Sequence, residues 1–150
     1  MATLFSMQSW LVCCIASALA VLVGCSPAYQ ATDLDGTWTG QDYTINARGK
    51  SLTTKQVTLN VDGNGLISGR TSWTLVDGAG GNHLEKPVKR DSEEVIGVFH
   101  PETGEFYLVE KQETGIWQGK MLSRNRLHAF LFQSGEKPVV SMIELQRVSD

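Results

Sequence analysis

The three histidines, His83, His100 and His128, are the first residues to test for chemistry. Metal centres draw His, Cys and carboxylate ligands together at short recurring spacings. These three follow no such spacing, so no metal site is expected. Ser134-Gly135-Glu136-Lys137 matches Ser-x-x-Lys, an acyl-transfer signature that needs a helix to bring the amine onto the hydroxyl. With Gly135 inside it and Pro138 behind it, the segment reads as a turn instead. Asp62-Gly63-Asn64-Gly65 opens like a calcium loop, yet Trp73 stands where the bidentate Glu belongs. A hairpin turn is the expectation there. Paired carboxylates can cleave glycosidic bonds. Glu93-Glu94, Glu102 with Glu105, and Glu110 with Glu113 all sit beside turns, as solvated charges do, and nothing singles out one pair. The chain is therefore expected to carry no catalytic residue and no cofactor, and to bind without covalent chemistry.

Aromatic residues are the remaining candidates. Tyr43, Trp73, Phe106, Tyr107, Trp117 and Phe130, with His128 beside the last, could wall a cavity. Aromatic walls with a few polar tips are how small-molecule pockets are built. Tyr43, Trp73, Tyr107, Trp117, His128 and Phe130 form the candidate site for a small apolar or amphipathic ligand. A narrow barrel packed solid with side chains is the competing expectation.

The elements that would position these residues are strands. Turn signals occur at Asp62–Gly65, Pro101–Gly104, Glu113–Gly115, Ser123–Asn125 and Ser134–Pro138. Between them lie alternating or β-branched runs: Gly36–Asn46, Val57–Val61, Leu66–Val76, Val95–Phe99, Phe106–Val109, Ile116–Leu122, Leu127–Phe132 and Val139–Val148. No stretch shows sustained helical spacing. About eight short strands joined by short loops predict an all-β, antiparallel up-and-down barrel. An open β-sandwich is the alternative. Asp77–Glu93 shows no strand pattern and is expected as a long loop, mobile or functional. Leu127–Phe132 is apolar on both faces, which predicts cover on both sides, by a partner or by that loop. Trp38 and Arg147 are expected to meet where the first and last strands pair, a structural closure by guanidinium on indole.

The chain has 150 residues, 41% hydrophobic and 19% charged, with a net charge of -3. That balance excludes a disordered chain and makes a nucleic-acid partner unexpected, because phosphate neutralisation needs a positive surface. The N-terminus is a different material. From Met1 to Gly24 there is no Lys, Arg, Asp, Glu or His. The apolar run Trp10–Val23 suits a signal-peptide core and falls short of the ~20 residues that span a bilayer. It ends in Leu22-Val23-Gly24-Cys25, which resembles the bacterial lipoprotein lipobox. The resemblance implies cleavage before Cys25 and acylation of its thiol and amine. Residues 1–24 are then a signal peptide, 25–34 a lipidated tether and 35–150 the barrel domain. Ser26 after the Cys implies the outer membrane of a bacterial envelope. Cys13 and Cys14 leave with the signal peptide, so the mature domain keeps no free thiol.

Asp35-Gly36-Thr37-Trp38-Thr39-Gly40 resembles the Gly-x-Trp opening of lipocalin-like and avidin-like barrels. Thr114-Gly115-Ile116-Trp117-Gln118-Gly119 is similar to the avidin Trp-x-Gly strand, and His128–Phe132 and Met142–Val148 match its later strands. The resemblance implies a ligand-binding barrel. It does not extend to biotin: Gly40 stands at the ureido-binding Asn, Phe130 at a Trp, and the last loop has no Trp. The expected partners are the membrane, through the lipid, and a small hydrophobic ligand. An envelope protein bound through the 77–93 loop or the outer face of Leu127–Leu131 is the alternative.

Overall fold

The computed structural model describes residues 28–81 and 87–148. Eight strands follow one another: β1 (Gly36–Asn46), β2 (Gly49–Val61), β3 (Leu66–Gly78), β4 (Arg90–His100), β5 (Glu105–Glu110), β6 (Gly115–Ser123), β7 (Arg126–Gln133) and β8 (Val139–Arg147). Each pairs antiparallel with the next, and β1 also pairs with β8, so the sheet is a closed up-and-down barrel. Closure pairs the two edge strands at Trp38–Thr39 and Thr44–Asn46 of β1, and in the gap between them Asp42 Oδ2 accepts the Glu144 N–H at 2.9 Å. The β1–β8 ladder, with Trp38 opposite Arg147 and Ile45 opposite Val140, rules out the open sandwich.

Turn chemistry sets the register. Asp62 Oδ1 accepts the N–H groups of Asn64 and Leu66, at 2.8 and 2.9 Å, and Gly65 adopts φ +79°. Those two bonds hold the Asp62 carboxylate below its ordinary pKa. The hairpin expected at Asp62–Gly65 joins β2 to β3.

One end of the barrel is filled. Val57, Leu59, Val95, Phe106, Leu108, Met121, Leu127, Ile143 and Leu145 all point inward and are almost fully buried. Strand alternation puts every second residue on this side. Gly119 is required here: a Cβ would overlap the Phe106 ring, which crosses the interior at that height. Below the core, Ala31–Asp33 form one 3-10 turn and Leu34 is completely buried as the floor. Its carbonyl accepts Trp38 Nε1 at 3.1 Å. The Arg147 guanidinium lies 4.1 Å from the Trp38 ring and donates to the carbonyls of Asp33, Asp35 and Arg124. The Tyr29 N–H bonds the carbonyl of Pro101, and its hydroxyl donates to that of Met121. The stretch expected as a tether thus packs against the floor from Tyr29 onward. The signal segment and Cys25 lie outside the described residues.

The bounds of two strands are corrected. The second strand starts at Gly49, not near Val57, and the fourth at Arg90, not near Val95. The connection between β3 and β4 is therefore shorter than Asp77–Glu93. In both strands the added residues alternate polar side chains inward, a pattern that hides a strand from a hydrophobic reading. On the outer face of β7 Phe132 is exposed and Phe130 half-buried, so the described residues of the β3–β4 connection do not cover it. Of the two apolar faces of this strand, Leu127, Ala129 and Leu131 form the inner one and His128, Phe130 and Phe132 the outer.

Candidate functional site

Above the filled end, the inward positions change character. β1 contributes Thr44 and Asn46, β2 Ser51, Thr53 and Lys55, and β3 Thr71 and Trp73. β4 contributes Asp91 and Glu93, β5 Glu110, β6 Trp117 and β7 Gln133. Together they wall a cavity of about 90 Å³ at the end opposite Leu34. A drug-sized pocket holds roughly 300–1,000 Å³, and one water needs roughly 10–15 Å³ of such space. This cavity is sized for a small molecule or the tip of a larger one. The barrel is neither a wide calyx nor solid.

Gly80 and Gly81, after the end of β3, lie at the mouth. Asn46 Nδ2 donates to the Gly80 carbonyl at 2.8 Å, and the Gly80 N–H donates to Ser51 Oγ at 3.0 Å. The Gly81 N–H bonds the Val88 carbonyl at 2.8 Å. Gly81 lies against the Trp73 indole so closely that a Cβ would displace the ring. Residues 82–86, which include His83, lie outside the described residues.

One wall is acidic. Trp117 Nε1 donates to Glu110 Oε1 at 3.0 Å. Glu113 accepts from Gln133 Nε2 at 2.9 Å and from Lys137 Nζ at 2.7 Å. Gly115 makes room for Glu110, since a Cβ there would overlap the carboxylate. Burial raises the pKa of Glu110, Glu113 and Asp91 add to the rise, and the bonds from Trp117 and Thr71 oppose it. Burial also raises that of Glu93, reinforced by Glu110, Asp91 and Glu113. Glu93 Oε2 is buried with no hydrogen-bond partner among the described residues. Such an atom costs about 1–3 kcal/mol unless a proton, a water or a ligand satisfies it.

The opposite wall holds a buried amine. Lys55 is 3% exposed. Its Nζ donates to Thr44 Oγ1 at 2.7 Å and to Thr53 Oγ1 at 2.6 Å. Thr44 Oγ1 donates onward to Ser141 Oγ, and Ser141 Oγ to the Tyr43 carbonyl. Thr53 Oγ1 donates to the Asp42 carbonyl. The ion pairs among the described residues leave Lys55 out. Burial lowers its pKa to about 8, against a smaller opposing pull from Asp42.

Of the six candidate ligand residues, the structure brings Trp73 and Trp117 together in the cavity wall. Tyr43, Tyr107, His128 and Phe130 are placed elsewhere, because each has the outward parity of its strand. Tyr43 carries the Lys50 ammonium 4.5 Å from its ring centre. Tyr107 is exposed. His128 stands edge-on to Phe130 at 4.8 Å, and Phe130 stacks on Phe132 at 5.9 Å, all outside the barrel. The carboxylates need the reverse correction. Glu93 and Glu110 face the interior instead of solvent, because they share parity with Val95 and Leu108. Lys55 belongs to no motif, and the sign of its place is phase alone: Ser51, Thr53 and Lys55 continue the inward alternation of Val57, Leu59 and Val61.

The fold has counterparts among solved structures. A protein of unknown function from the DUF3598 family of Nostoc punctiforme PCC 73102 superposes with TM-score 0.51 at 14% identity, covering 82% of this chain. This chain spans about half of that protein, 51% of its length. A redesigned β-barrel, mFAP1, solved bound to DFHBI, gives TM-score 0.52 at 17% identity, with 81% of this chain and 100% of that one covered. A related redesigned barrel, mFAP0, also bound to DFHBI, gives 0.50 at 17% identity, covering 77% of this chain and 99% of that one. At these identities the likeness establishes the barrel architecture. No protein-family model matches the chain, and no curated protein matches it in sequence.

Proposed function

We propose that this chain is a small-molecule-binding β-barrel of the bacterial envelope, held to the membrane by a lipid on Cys25. It binds its ligand and does not turn it over. One observation carries the binding reading: the interior stops being filled halfway up. Above that level two indoles and a buried carboxylate oxygen, Glu93 Oε2, which has no partner among the described residues, wall an unfilled space. A core built only for stability would fill that space and leave no such atom. The binding of DFHBI by similar redesigned barrels supports the reading by analogy of shape. The size of the cavity selects a small amphipathic ligand, with a flat apolar body against Trp73 and Trp117 and a polar group at Glu93.

Benzyl alcohol is a suitable probe. It should quench tryptophan fluorescence saturably, and Trp73→Ala should weaken the response at least tenfold. A linear, unsaturable response would reject the site. The lipid anchor is tested separately, by palmitate incorporation that Cys25→Ser abolishes; equal labelling of both proteins counts against it.

The outer surface favours a second reading, a protein-binding module. Ile96, Val109, Ile116, Phe132, Val140 and Ile45 are successive cross-strand partners, and all are exposed. A contiguous apolar row of this kind marks interaction surfaces. Under this reading Ile116→Lys with Phe132→Lys removes partner recovery and leaves the benzyl alcohol titration unchanged.

A further inference from the structure

We propose that Lys55 is a nucleophilic amine that captures a small aldehyde at the cavity wall as a reversible imine. The proposal deepens the small-molecule reading above and rests on it.

The hydrogen-bond inventory around Nζ is the first argument. The acceptors that hold it are Thr44 Oγ1 and Thr53 Oγ1. The single proton of each hydroxyl has its own outlet, to Ser141 Oγ and to the Asp42 carbonyl. A neutral amine has two hydrogens and one lone pair. Two hydrogens fill the two acceptors, and the lone pair is left over. An ammonium would carry a third hydrogen, and no acceptor among the described residues bonds it. The surroundings therefore match the form that attacks a carbonyl.

Electrostatics gives the second argument. Lys55 is almost completely buried and has no ion-pair partner among the described residues. Asp42 on β1 is the charge that acts on it. Asp42 lies outside the cavity lining; the charged groups that line it besides Lys55 are Asp91 and Glu93 on β4, Glu110 on β5, and Glu113 and Lys137 in the adjoining turns, while β3, β6, β7 and β8 present uncharged side chains there. Desolvation disfavours the ammonium, which is how buried lysines become nucleophiles. With a pKa of about 8, Lys55 holds roughly 300-fold more free amine at neutral pH than an ordinary lysine at 10.5. The cavity admits only a small partner, and the indoles of Trp73 and Trp117 suit an aromatic one.

The step balances without an external redox partner. The Nζ lone pair adds to the aldehyde carbon and the carbonyl oxygen takes up a proton. The carbinolamine then expels that oxygen as water, which carries away both amine hydrogens, and a C=N bond remains. Water reverses the step and returns the aldehyde unchanged.

The test is to expose the full chain to benzaldehyde at neutral pH, fix any imine with borohydride, and map benzylated lysines by peptide mass spectrometry. Lys55 should be modified ahead of the exposed Lys50, Lys111 and Lys120, by on the order of 100-fold in rate, with a pH midpoint near 8. Lys55→Arg should abolish modification of that peptide. The rank order in the unaltered protein needs no variant: exposure alone would put Lys55 last. Lys55 labelled last, while benzyl alcohol still binds saturably, overturns imine capture and leaves the small-molecule site standing. Lys55 labelled last with no benzyl alcohol binding overturns both.

Discussion

Replacing Lys55 with Met tests the electrostatics of the open end without any ligand. The native pKa of Lys55 is about 8, against an ordinary 10.5. The difference, at 1.36 kcal/mol per pH unit, is a penalty of about 3 kcal/mol for the buried ammonium. The unfolded chain keeps its proton up to the higher value, while the folded chain loses it near the lower one. Between them the unfolded state binds more protons, so stability rises with pH. The penalty is fully present below pH 8 and is relieved as the pH climbs towards 10.5. From pH 7 to pH 10 the native protein should gain about 2.5 kcal/mol relative to Lys55→Met, which has nothing to titrate there. At pH 7 the variant also loses two amine–hydroxyl bonds worth about 1 kcal/mol each, so it should be about 1 kcal/mol more stable than the native chain. Urea denaturation of both proteins at several pH values provides the measurement. Stability profiles that run parallel from pH 7 to pH 10 would refute the argument, because they would mean that Lys55 feels no desolvation.

Other substitutions probe separate parts of the barrel. Gly119→Ala forces a methyl group into the Phe106 ring and should cost about 1–3 kcal/mol, read as a lowered thermal midpoint; an unchanged midpoint would show that the ring can move aside. Arg147→Ala removes the stacking on Trp38 and the donors to the Asp33, Asp35 and Arg124 carbonyls, a loss of about 2–4 kcal/mol in denaturant unfolding. Glu110 has a raised pKa, so its ionisation destabilises the folded state, and stability from this group is gained as pH falls towards 4.5. Glu110→Gln keeps an acceptor for Trp117 and should be more stable than the native protein at pH 7, with the advantage vanishing by pH 4; an advantage that grows on acidification contradicts the assignment.

The barrel was readable because its lower half obeys the simplest rule of strand patterning. Val57, Leu59 and Val61 alternate with Thr58 and Asn60, and Trp117, Gly119 and Met121 alternate with Gln118 and Lys120. Each of these runs ends at a turn with recognisable chemistry. The closure was readable for a related reason: a sheet of sequential hairpins leaves only its first and last strands unpaired, and Trp38 and Arg147 are placed to meet there. What failed was the outward parity of the aromatics. Residue type alone suggests Tyr43, Tyr107, His128 and Phe130 as a cavity wall, and their strand phase puts them outside.

The same phase argument explains why the site was hidden and how it could have been found. Hydrophobic alternation marks a strand only where its inner face is dry. Where the barrel opens, the inner face carries Ser51, Thr53 and Lys55 on β2 and Asp91 and Glu93 on β4, and the strands look like loops. Yet each of these residues lies an even number of positions from a buried neighbour, Val57 or Val95. A polar residue in phase with a core has two possible fates: it ends the strand, or it faces a space the core does not fill. Closing the barrel removes the first, because β1 pairs with β2 from Gly36 opposite Leu59 to Asn46 opposite Gly49. The buried amine and the buried carboxyls then follow from topology. Extending β2 and β4 in register past the end of the hydrophobic core requires polar side chains to enter the interior, and only an unfilled cavity can receive them.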